Sequence, residues 1–134
     1  MITVTLPHRG VDDWGDGEYQ APRGDRKHKG IDYECPVGAV IHSNVTGRVT
    51  KVGYPYSDDL SFRYVEVTDT DQQRHRYFYV YPLVNKGDAV DEGDSLGLSQ
   101  DISGRYSDPD KKPMKNHVHY EVLTEHGPIN PELA

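Results

Sequence analysis

Short runs of apolar residues, which alternate with polar ones in some segments and are separated by turn residues, predict β-strands along most of this chain. Residues 2–6, which Pro7 ends, and residues 117–123 alternate regularly, and residues 39–42, 45–52, 62–68 and 74–81 are the other predicted strands. Successive residues of a strand face opposite sides, so a strand that alternates has one apolar face. No segment of useful length repeats with the helical period. The pattern therefore predicts an all-β, or β-rich α+β, domain with a main antiparallel sheet.

Polar segments separate the predicted strands and predict loops of two kinds. Residues 69–73 form a tight polar turn between two strands, which indicates a hairpin, and Gly-Asp turns divide residues 86–97. The other loops, residues 10–27, 53–61 and 99–116, are longer. Loops as long as the last of these are usually functional or mobile in compact domains. We expect the three long loops to form the walls of a narrow groove.

Length and composition predict one domain. The chain has 134 residues, which we assign to a single domain spanning residues 1–134. It contains 13 Gly, 9 Pro and 10 Tyr but only 34% hydrophobic residues, a mixture that suits turns and short strands better than a helical bundle. The core is therefore modest in size, and we expect a monomer.

Charge and sequence argue against several classes of partner. The net charge is −7 and Lys and Arg are scattered, so no basic patch is available for nucleic acid. No apolar stretch approaches membrane-spanning length, and the first residues lack the layout of a secretory signal. The single cysteine cannot form an internal disulfide. We expect a soluble protein without an export signal.

Two histidines on one predicted strand are the most informative chemistry in the chain. His117 and His119 are two residues apart, so both side chains project to the same face. Val118, Tyr120 and Val122 project to the other face and can enter a core. A single His-x-His spacing is a weak signal among seven histidines. His117 alone fits an ordinary surface position on a strand equally well.

A second pair of polar residues gives the histidines partners. His28-Lys-Gly-Ile-Asp32 is a Gly-containing segment at the predicted start of a strand, where ligands often lie. It adds one imidazole nitrogen and one carboxylate oxygen. Three such ligands, with one position left for water, have the composition of a catalytic zinc site. Two ligand-spaced pairs on distant elements fit a site that is closed by tertiary folding.

These segments make the chain resemble peptidase family M23, the lysostaphin/LytM-type zinc endopeptidases. The resemblance spans roughly residues 22–131, and its pieces occur in the family's order. They are His28-Lys-Gly-Ile-Asp32, Pro36-Val-Gly-Ala-Val-Ile41, Gly47-Arg-Val49, Arg76-Tyr77, Lys86-Gly-Asp88, residues 93–97, residues 117–122 and Gly127-Pro-Ile-Asn-Pro131. The resemblance implies a duplicated-hybrid-motif-like fold. It also implies hydrolysis of peptide bonds in the stem peptide or cross-bridge of bacterial peptidoglycan.

The resemblance implies a role for each residue of the two pairs. His28, Asp32 and His119 would be the ligands of Zn²⁺, and His117 would be a catalytic histidine close to the attacking water. Physical chemistry agrees with this division. One imidazole on the strand face can bind the metal while its neighbour, two residues away, acts as a base toward the same water.

The sequence departs from the family's pattern at one catalytic position. The family usually carries a second catalytic histidine in a Tyr-x-His-Leu strand, whereas Tyr79 occupies that position here. A phenol can donate a hydrogen bond to a developing oxyanion, but its pKa of about 10 makes it a poor base at pH 7. We therefore expect Tyr79 to assist catalysis as a donor. His75, about 13 Å away along the strand, could substitute only after a register shift.

Other candidates keep both a structural and a functional interpretation. Cys35 follows Asp32 closely, but its place before Pro36 favours a buried structural thiol over a metal ligand. Glu121 shares the face of the two late histidines and either orients an imidazole or is a solvated carboxylate. The remaining candidates are aromatic residues and histidines. The aromatic residues that either line a groove or pack locally are Trp14, Tyr77, Tyr79 and Tyr81, and the histidines assigned to surface or packing positions are His8, His42 and His126.

The sequence therefore predicts a zinc-dependent endopeptidase whose partners are peptidoglycan peptides. A short chain with neither export signal nor wall-binding module fits a bacteriophage lytic enzyme, an endolysin or virion component made in the host cytoplasm and acting at the cell wall. One alternative is a non-catalytic peptidoglycan-binding or amidase-activator domain of the same fold, motivated by Tyr79. Another is a lipoyl- or biotinyl-carrier-like domain, suggested by the turns of residues 84–97. A carrier needs an exposed lysine at a hairpin tip between acidic and small or Met residues, and no such tripeptide occurs in those turns.

Overall fold

The computed structural model of the chain describes residues 3–23, 26–106 and 108–133. Its strands, in chain order, are β1 (Val11–Asp12), β2 (Gly15–Asp16), β3 (Pro22–Arg23), β4 (Arg26–Lys27), β5 (Ile31–Glu34), β6 (Val40–His42), β7 (Gly47–Gly53), β8 (Tyr64–Asp69), β9 (Arg74–Phe78), β10 (Val80–Pro82), β11 (Ala89–Val90), β12 (Ser95–Ser99), β13 (His117–Thr124) and β14 (Gly127–Ile129). Short 3-10 helices lie at Thr3–Thr5, Ile102–Gly104 and Pro131–Leu133. No helix in the described ranges has the length and apolar character needed to span a membrane. The predicted all-β class is confirmed.

Strand β13 lies inside the main antiparallel sheet. The order of that sheet is β11-β7-β8-β9-β13-β14, and β5 pairs with the first half of β13. On one side β13 is therefore bonded to β9, and on the other it is bonded first to β5 and then to β14. The strand that carries both late histidines is thus fixed along its length by neighbours.

The apolar face of β13 enters the core, as the alternation predicts. The side chains of Val118, Tyr120 and Val122 are at most 1% exposed. The Tyr120 ring stacks on Tyr77 of β9, with 4.9 Å between ring centroids. A smaller sheet, β10-β12-β6, contributes Leu96 and other side chains to the same core. Burying one such aliphatic side chain stabilises the fold by about 1.5–3 kcal/mol.

The predicted strand at residues 2–6 is wrong. In the described part of that segment, Thr3–Thr5 forms a 3-10 turn. The turn makes one hydrogen bond to strand β6 and one to the residue pair that follows it. The Thr3 hydroxyl donates to the His42 carbonyl, and the Val4 amide donates to the Asn44 side chain. The amides of Val4 and Leu6 thus find acceptors in the Asn44 side chain and the Thr3 carbonyl without a neighbouring strand, and Leu6 packs against the core.

The predicted single strand at residues 74–81 is also wrong, because Tyr79 interrupts it. Tyr79 has φ of 69°, a left-handed conformation that is rare for a bulky residue. The amides of Tyr79 and Val80 both donate to the Arg63 carbonyl, and the chain then leaves the main sheet for β10. Consequently Tyr77 is fully buried and Tyr81 is 54% exposed, so Tyr77, Tyr79 and Tyr81 do not line one common groove.

His8 ties the N-terminal segment to the C-terminal turn. Its Nδ1 lies 2.7 Å from Glu18 Oε1, and its Nε2 lies 2.6 Å from Glu132 Oε1. Partial burial opposes the charged ring, but the two carboxylates raise the pKa of His8 above 6.5 overall. The stabilisation that the charged His8 ring gives the folded protein is therefore fully present below pH 6.5, where His8 of the unfolded chain is also protonated. It is lost as pH rises through the raised pKa.

We expect His8→Gln to destabilise the protein at pH 5.5 by about 0.5–1 kcal/mol, the scale of a partly exposed ion pair. The loss should shrink toward zero at pH 9, because the parent then no longer gains from a charged His8. Urea unfolding of both proteins at the two pH values measures the difference. His126→Gln is the matched control, since the His126 side chain is 87% exposed. A loss of equal size at both pH values would show that the pair is not electrostatic.

Candidate active site and metal centre

Strand pairing brings the two predicted pairs of residues together. In the antiparallel register of β5 and β13, Asp32 lies directly opposite His119, and His117 lies opposite Glu34. On the other side of β13, His119 lies opposite Phe78, the last residue of β9. The carboxylate and the imidazole therefore share one face of the sheet, with Tyr79 at the adjacent strand break.

Gly30 allows His28 to reach the same face. A Cβ added at Gly30 would lie 2.2 Å from the carbonyl oxygen of Tyr120, closer than any side chain tolerates. The backbone of the His-x-Gly-x-Asp segment therefore packs directly on β13. The backbone of His28 exchanges hydrogen bonds with Gln20 and Ala21, which fixes the segment.

One ion could contact all three predicted ligands. His119 Nδ1 lies 2.9 Å from both His28 Nε2 and Asp32 Oδ1, and the latter two atoms are 3.3 Å apart. A tetrahedral zinc ion with bonds of about 2.0–2.1 Å holds its ligand atoms about 3.3 Å apart. The observed triangle is only slightly tighter, and its mixed nitrogen and oxygen donors suit zinc. The residues therefore fit the metal that the family resemblance implies.

The remaining polar atom of each ligand is held by a partner. This arrangement orients metal-binding side chains and fixes the tautomer of each histidine. The outward contacts are His28 Nδ1 to the Glu18 carbonyl at 3.0 Å, His119 Nε2 to Glu121 Oε1 at 2.9 Å, and Asp32 Oδ2 to Arg9 Nη1 at 2.9 Å. Glu121 thus orients an imidazole, which is the first of its two predicted interpretations.

Arg9 is a site residue that sequence reasoning missed. It is 3% exposed, and its guanidinium bonds Asp32 through Nη1 and Asp12 through Nε and Nη2. Its amide also donates to the Asp32 carbonyl. No pattern in the sequence marks this residue, because it is one charge among many in a polar segment and its partner is 23 residues away.

Burial and hydrogen bonds act in opposite directions on the charges of the cluster. Burial raises the pKa of Asp32, but hydrogen bonds from His119 and His28 bring that pKa well below its usual range. Burial lowers the pKa of His119, yet hydrogen bonds to Asp32 and Glu121 raise it to about 9. Asp32 is therefore ionised at neutral pH, as an anionic ligand must be.

His117 is placed to accept a proton. It is 3% exposed, and burial lowers its pKa against the opposing effect of the Asp32 charge. Its Nδ1 lies 2.7 Å from the Lys115 carbonyl, so this nitrogen carries the hydrogen and Nε2 is the basic atom. Nε2 lies 3.5 Å from Asp32 Oδ2, at the edge of the ligand cluster. The neutral ring is a base beside the metal-binding atoms.

Tyr79 packs against the ring of His117. The two rings meet edge to face, with 5.5 Å between their centroids. Burial and the neighbouring Tyr56 oxygen raise the pKa of Tyr79 well above 10, so its hydroxyl keeps its proton at neutral pH. The left-handed backbone at this residue turns the ring toward the site instead of along a strand face.

A cavity of about 400 Å³ opens over the cluster. All three of the predicted groove-forming loops contribute to its walls. The wall residues from these loops are Trp14, Pro55, Tyr56, Ile102, Tyr106 and Met114. Trp14 was predicted either to line a groove or to pack locally, and it does both. Its indole nitrogen donates to the Lys112 carbonyl, and its ring faces the cavity.

The other predicted candidates lie outside the cavity. Cys35 is a buried thiol of the main core. His75 is buried between Asp69 and the Tyr120 hydroxyl, and opposite Val122 instead of His119, so it does not replace the absent histidine. The remaining histidines have structural or surface environments. They are His8, in its pair of carboxylates, His42, bonded to the Gly93 carbonyl, and His126, which is exposed.

Comparisons with known proteins agree with this geometry. Residues 26–131 match the model of peptidase family M23. The chain is 28% identical over 118 residues to leukocyte cell-derived chemotaxin-2 of Mus musculus, covering 84% of this chain and 71% of that protein. It is 30% identical over 105 residues to the peptidoglycan DD-endopeptidase ShyB of Vibrio cholerae. That match covers 77% of this chain but only 22% of the relative.

The fold is also similar to that of a solved peptidase. The catalytic domain of the antimicrobial peptidase lysostaphin from Staphylococcus simulans superimposes with a TM-score of 0.65 and 18% sequence identity. The match covers 92% of this chain and 90% of that domain. At this level of identity the likeness concerns the fold, and it supports the antiparallel architecture described above.

Proposed function

Because the chain belongs to peptidase family M23, we propose that it is a zinc-dependent endopeptidase that hydrolyses peptide bonds of bacterial peptidoglycan. The observation that carries the proposal is the convergence of His28, Asp32 and His119 beside His117 under one cavity. The Vibrio cholerae relative, named a peptidoglycan endopeptidase, supports the substrate class.

The chain's own residues supply binding, orientation and proton transfer. Bound zinc would polarise the scissile carbonyl and make water acidic enough to attack near neutral pH. Glu121 and Arg9 would keep His119 and Asp32 in their ligating orientations. His117 would accept the proton of the attacking water at Nε2, because Nδ1 is already bonded to a carbonyl. The same nitrogen would then give that proton to the departing amine.

Tyr79 would stabilise the oxyanion as a hydrogen-bond donor. It lines the cavity beside His117, and its high pKa keeps the hydroxyl protonated throughout the reaction. A donor aimed at the developing charge lowers the barrier without taking part in proton transfer. On this account the tyrosine replaces the electrostatic role of the family's second histidine and leaves base catalysis to His117.

We expect Tyr79→Phe to lose about 100-fold in turnover, the usual effect of removing one oxyanion donor. The zinc content should stay unchanged, because no ligand is altered. Initial rates and metal analysis of the same preparation measure the two quantities. An unchanged rate would refute the oxyanion role. A loss of metal would show that the residue supports the ligands instead.

Turnover of purified peptidoglycan tests the function itself. The zinc-loaded protein should release new amino groups from the polymer without releasing reducing sugar ends, since a peptidase cuts only peptide bonds. Removing the metal with a chelator should stop the release, and added zinc should restore it. Absence of amine release by the zinc-loaded protein would refute the proposal.

A second candidate is a non-catalytic peptidoglycan-binding domain of the same fold. It is favoured by the tyrosine at position 79 and by similarity to a mammalian protein named as a chemotaxin. Co-sedimentation with peptidoglycan in the absence of turnover would support this candidate over the enzyme.

A further inference from the structure

We propose that Tyr56 is a positioning residue that directs the hydroxyl proton of Tyr79 into the cavity. The inference rests on the proposed function, because it concerns the oxyanion donor of that reaction. It starts from a group of three tyrosines that come from different parts of the chain. Tyr56 lies in the loop of residues 53–61, Tyr106 lies in the loop of residues 99–116, and Tyr79 lies at the break between β9 and β10.

The direction of the hydrogen bonds follows from counting protons. Each phenol has one hydrogen to donate. The Tyr56 hydroxyl donates to the Tyr79 oxygen at 3.2 Å. The Tyr56 oxygen also lies 2.9 Å from the Tyr106 oxygen, where either group could be the donor. Since the Tyr56 hydrogen is already used, Tyr106 must donate to Tyr56.

This direction leaves the Tyr79 hydrogen for another acceptor. Among the described residues, Tyr79 accepts one hydroxyl hydrogen bond and donates none, and its ring lines the cavity. The oxyanion of the proposed reaction would accept the Tyr79 hydrogen and so extend the hydrogen bonds that run from Tyr106 through Tyr56 to Tyr79. A hydroxyl that already accepts a hydrogen bond is also a stronger donor, because successive hydrogen bonds polarise one another.

The aromatic packing holds the tyrosines in this order. The Tyr56 ring lies nearly parallel to the Tyr79 ring, at 15° and with 6.1 Å between centroids. On the Tyr56 ring sits the Arg105 guanidinium, 3.7 Å from the centroid, and Arg105 also pairs with Asp58 of the Tyr56 loop. A cation over an aromatic face is attracted by its quadrupole. Arg105 and Tyr106 of one loop therefore both contact Tyr56 of the other.

A double-mutant cycle tests the role of Tyr56. Tyr56→Phe removes the donor but keeps the ring, so it should lower kcat about three- to ten-fold, the value of one neutral hydrogen bond, and leave KM and zinc content unchanged. In a Tyr79→Phe background the same change should have no further effect, because the acceptor is already absent. Rates are measured on soluble fragments of purified peptidoglycan.

The matched control is Tyr54→Phe in the same loop. Tyr54 is 50% exposed and lies outside the cavity, so its loss should leave the rate unchanged. Equal losses from Tyr56→Phe in both backgrounds would mean that the residue only shapes the loop, and would overturn the inference alone. An unaffected kcat in Tyr56→Phe would do the same. A parent protein without turnover would instead remove the proposed function, and this role with it.

Discussion

His117→Gln is expected to lower peptidoglycan turnover by about 100- to 10 000-fold, the range for loss of a general base. Glutamine has nearly the same reach but cannot accept the proton of the attacking water at neutral pH. His117 makes no contact with the predicted ligands shorter than 3.5 Å, so the variant should bind zinc as the parent does. Amine release and metal content, measured on one preparation, give both results.

His126→Gln is the control for this experiment, since His126 is exposed on the turn before β14. It should keep the parent's rate. Loss of zinc together with loss of rate in His117→Gln would move His117 from the base to the ligand set. A rate within a few-fold of the parent's would contradict the assignment of the base.

Arg9→Met is expected to destabilise the zinc-free protein by about 3–5 kcal/mol, the cost of removing one partner of a buried ion pair. The methionine fills part of the space but removes the guanidinium that bonds both Asp12 and Asp32. Both carboxylates are at most 8% exposed, so water cannot replace the guanidinium fully. Urea unfolding of the two proteins measures the change.

Two further variants keep the Arg9 prediction open to test even if Arg9→Met fails to fold. Arg9→Lys retains the charge but not the planar fork that contacts both carboxylates, so its loss of stability should be intermediate. Arg48→Met removes an exposed guanidinium bonded to the Gly87 carbonyl, and it should change stability by less than about 1 kcal/mol. If Arg9→Met were no more harmful than Arg48→Met, the buried ion pair would not stabilise the site.

The central strand of the site could be predicted from sequence because its signal is local. The alternation of residues 117–123 fixes which side chains of β13 face the core, and the structure confirms this for Val118, Tyr120 and Val122. Predicting that His28 lies beside His119 required the family resemblance, because the pairing of β5 with β13 brings together residues about 90 positions apart. Alternation alone does not determine such pairings.

The errors arose where tertiary contacts override local pattern. Residues 74–81 contain no Gly, Pro, Asn or Asp that would mark a break, yet the amides of Tyr79 and Val80 bond to Arg63 of another segment, and Tyr79 adopts a left-handed backbone. Arg9 escaped prediction for a similar reason, since a buried arginine has the same sequence appearance as an exposed one. The expected monomer, the single-domain assignment and the phage setting stay predictions.

Diffraction data collected at the zinc absorption edge from crystals of the zinc-loaded protein would locate the metal among its ligands. We expect one anomalous peak about 2.0–2.1 Å from His28 Nε2, Asp32 Oδ1 and His119 Nδ1, with a fourth position facing the cavity. Asp32 Oδ2 should remain bonded to Arg9, and His117 should stand apart from the metal. A peak at other side chains, or none at full zinc saturation, would contradict the assignment of these three residues as a catalytic metal site.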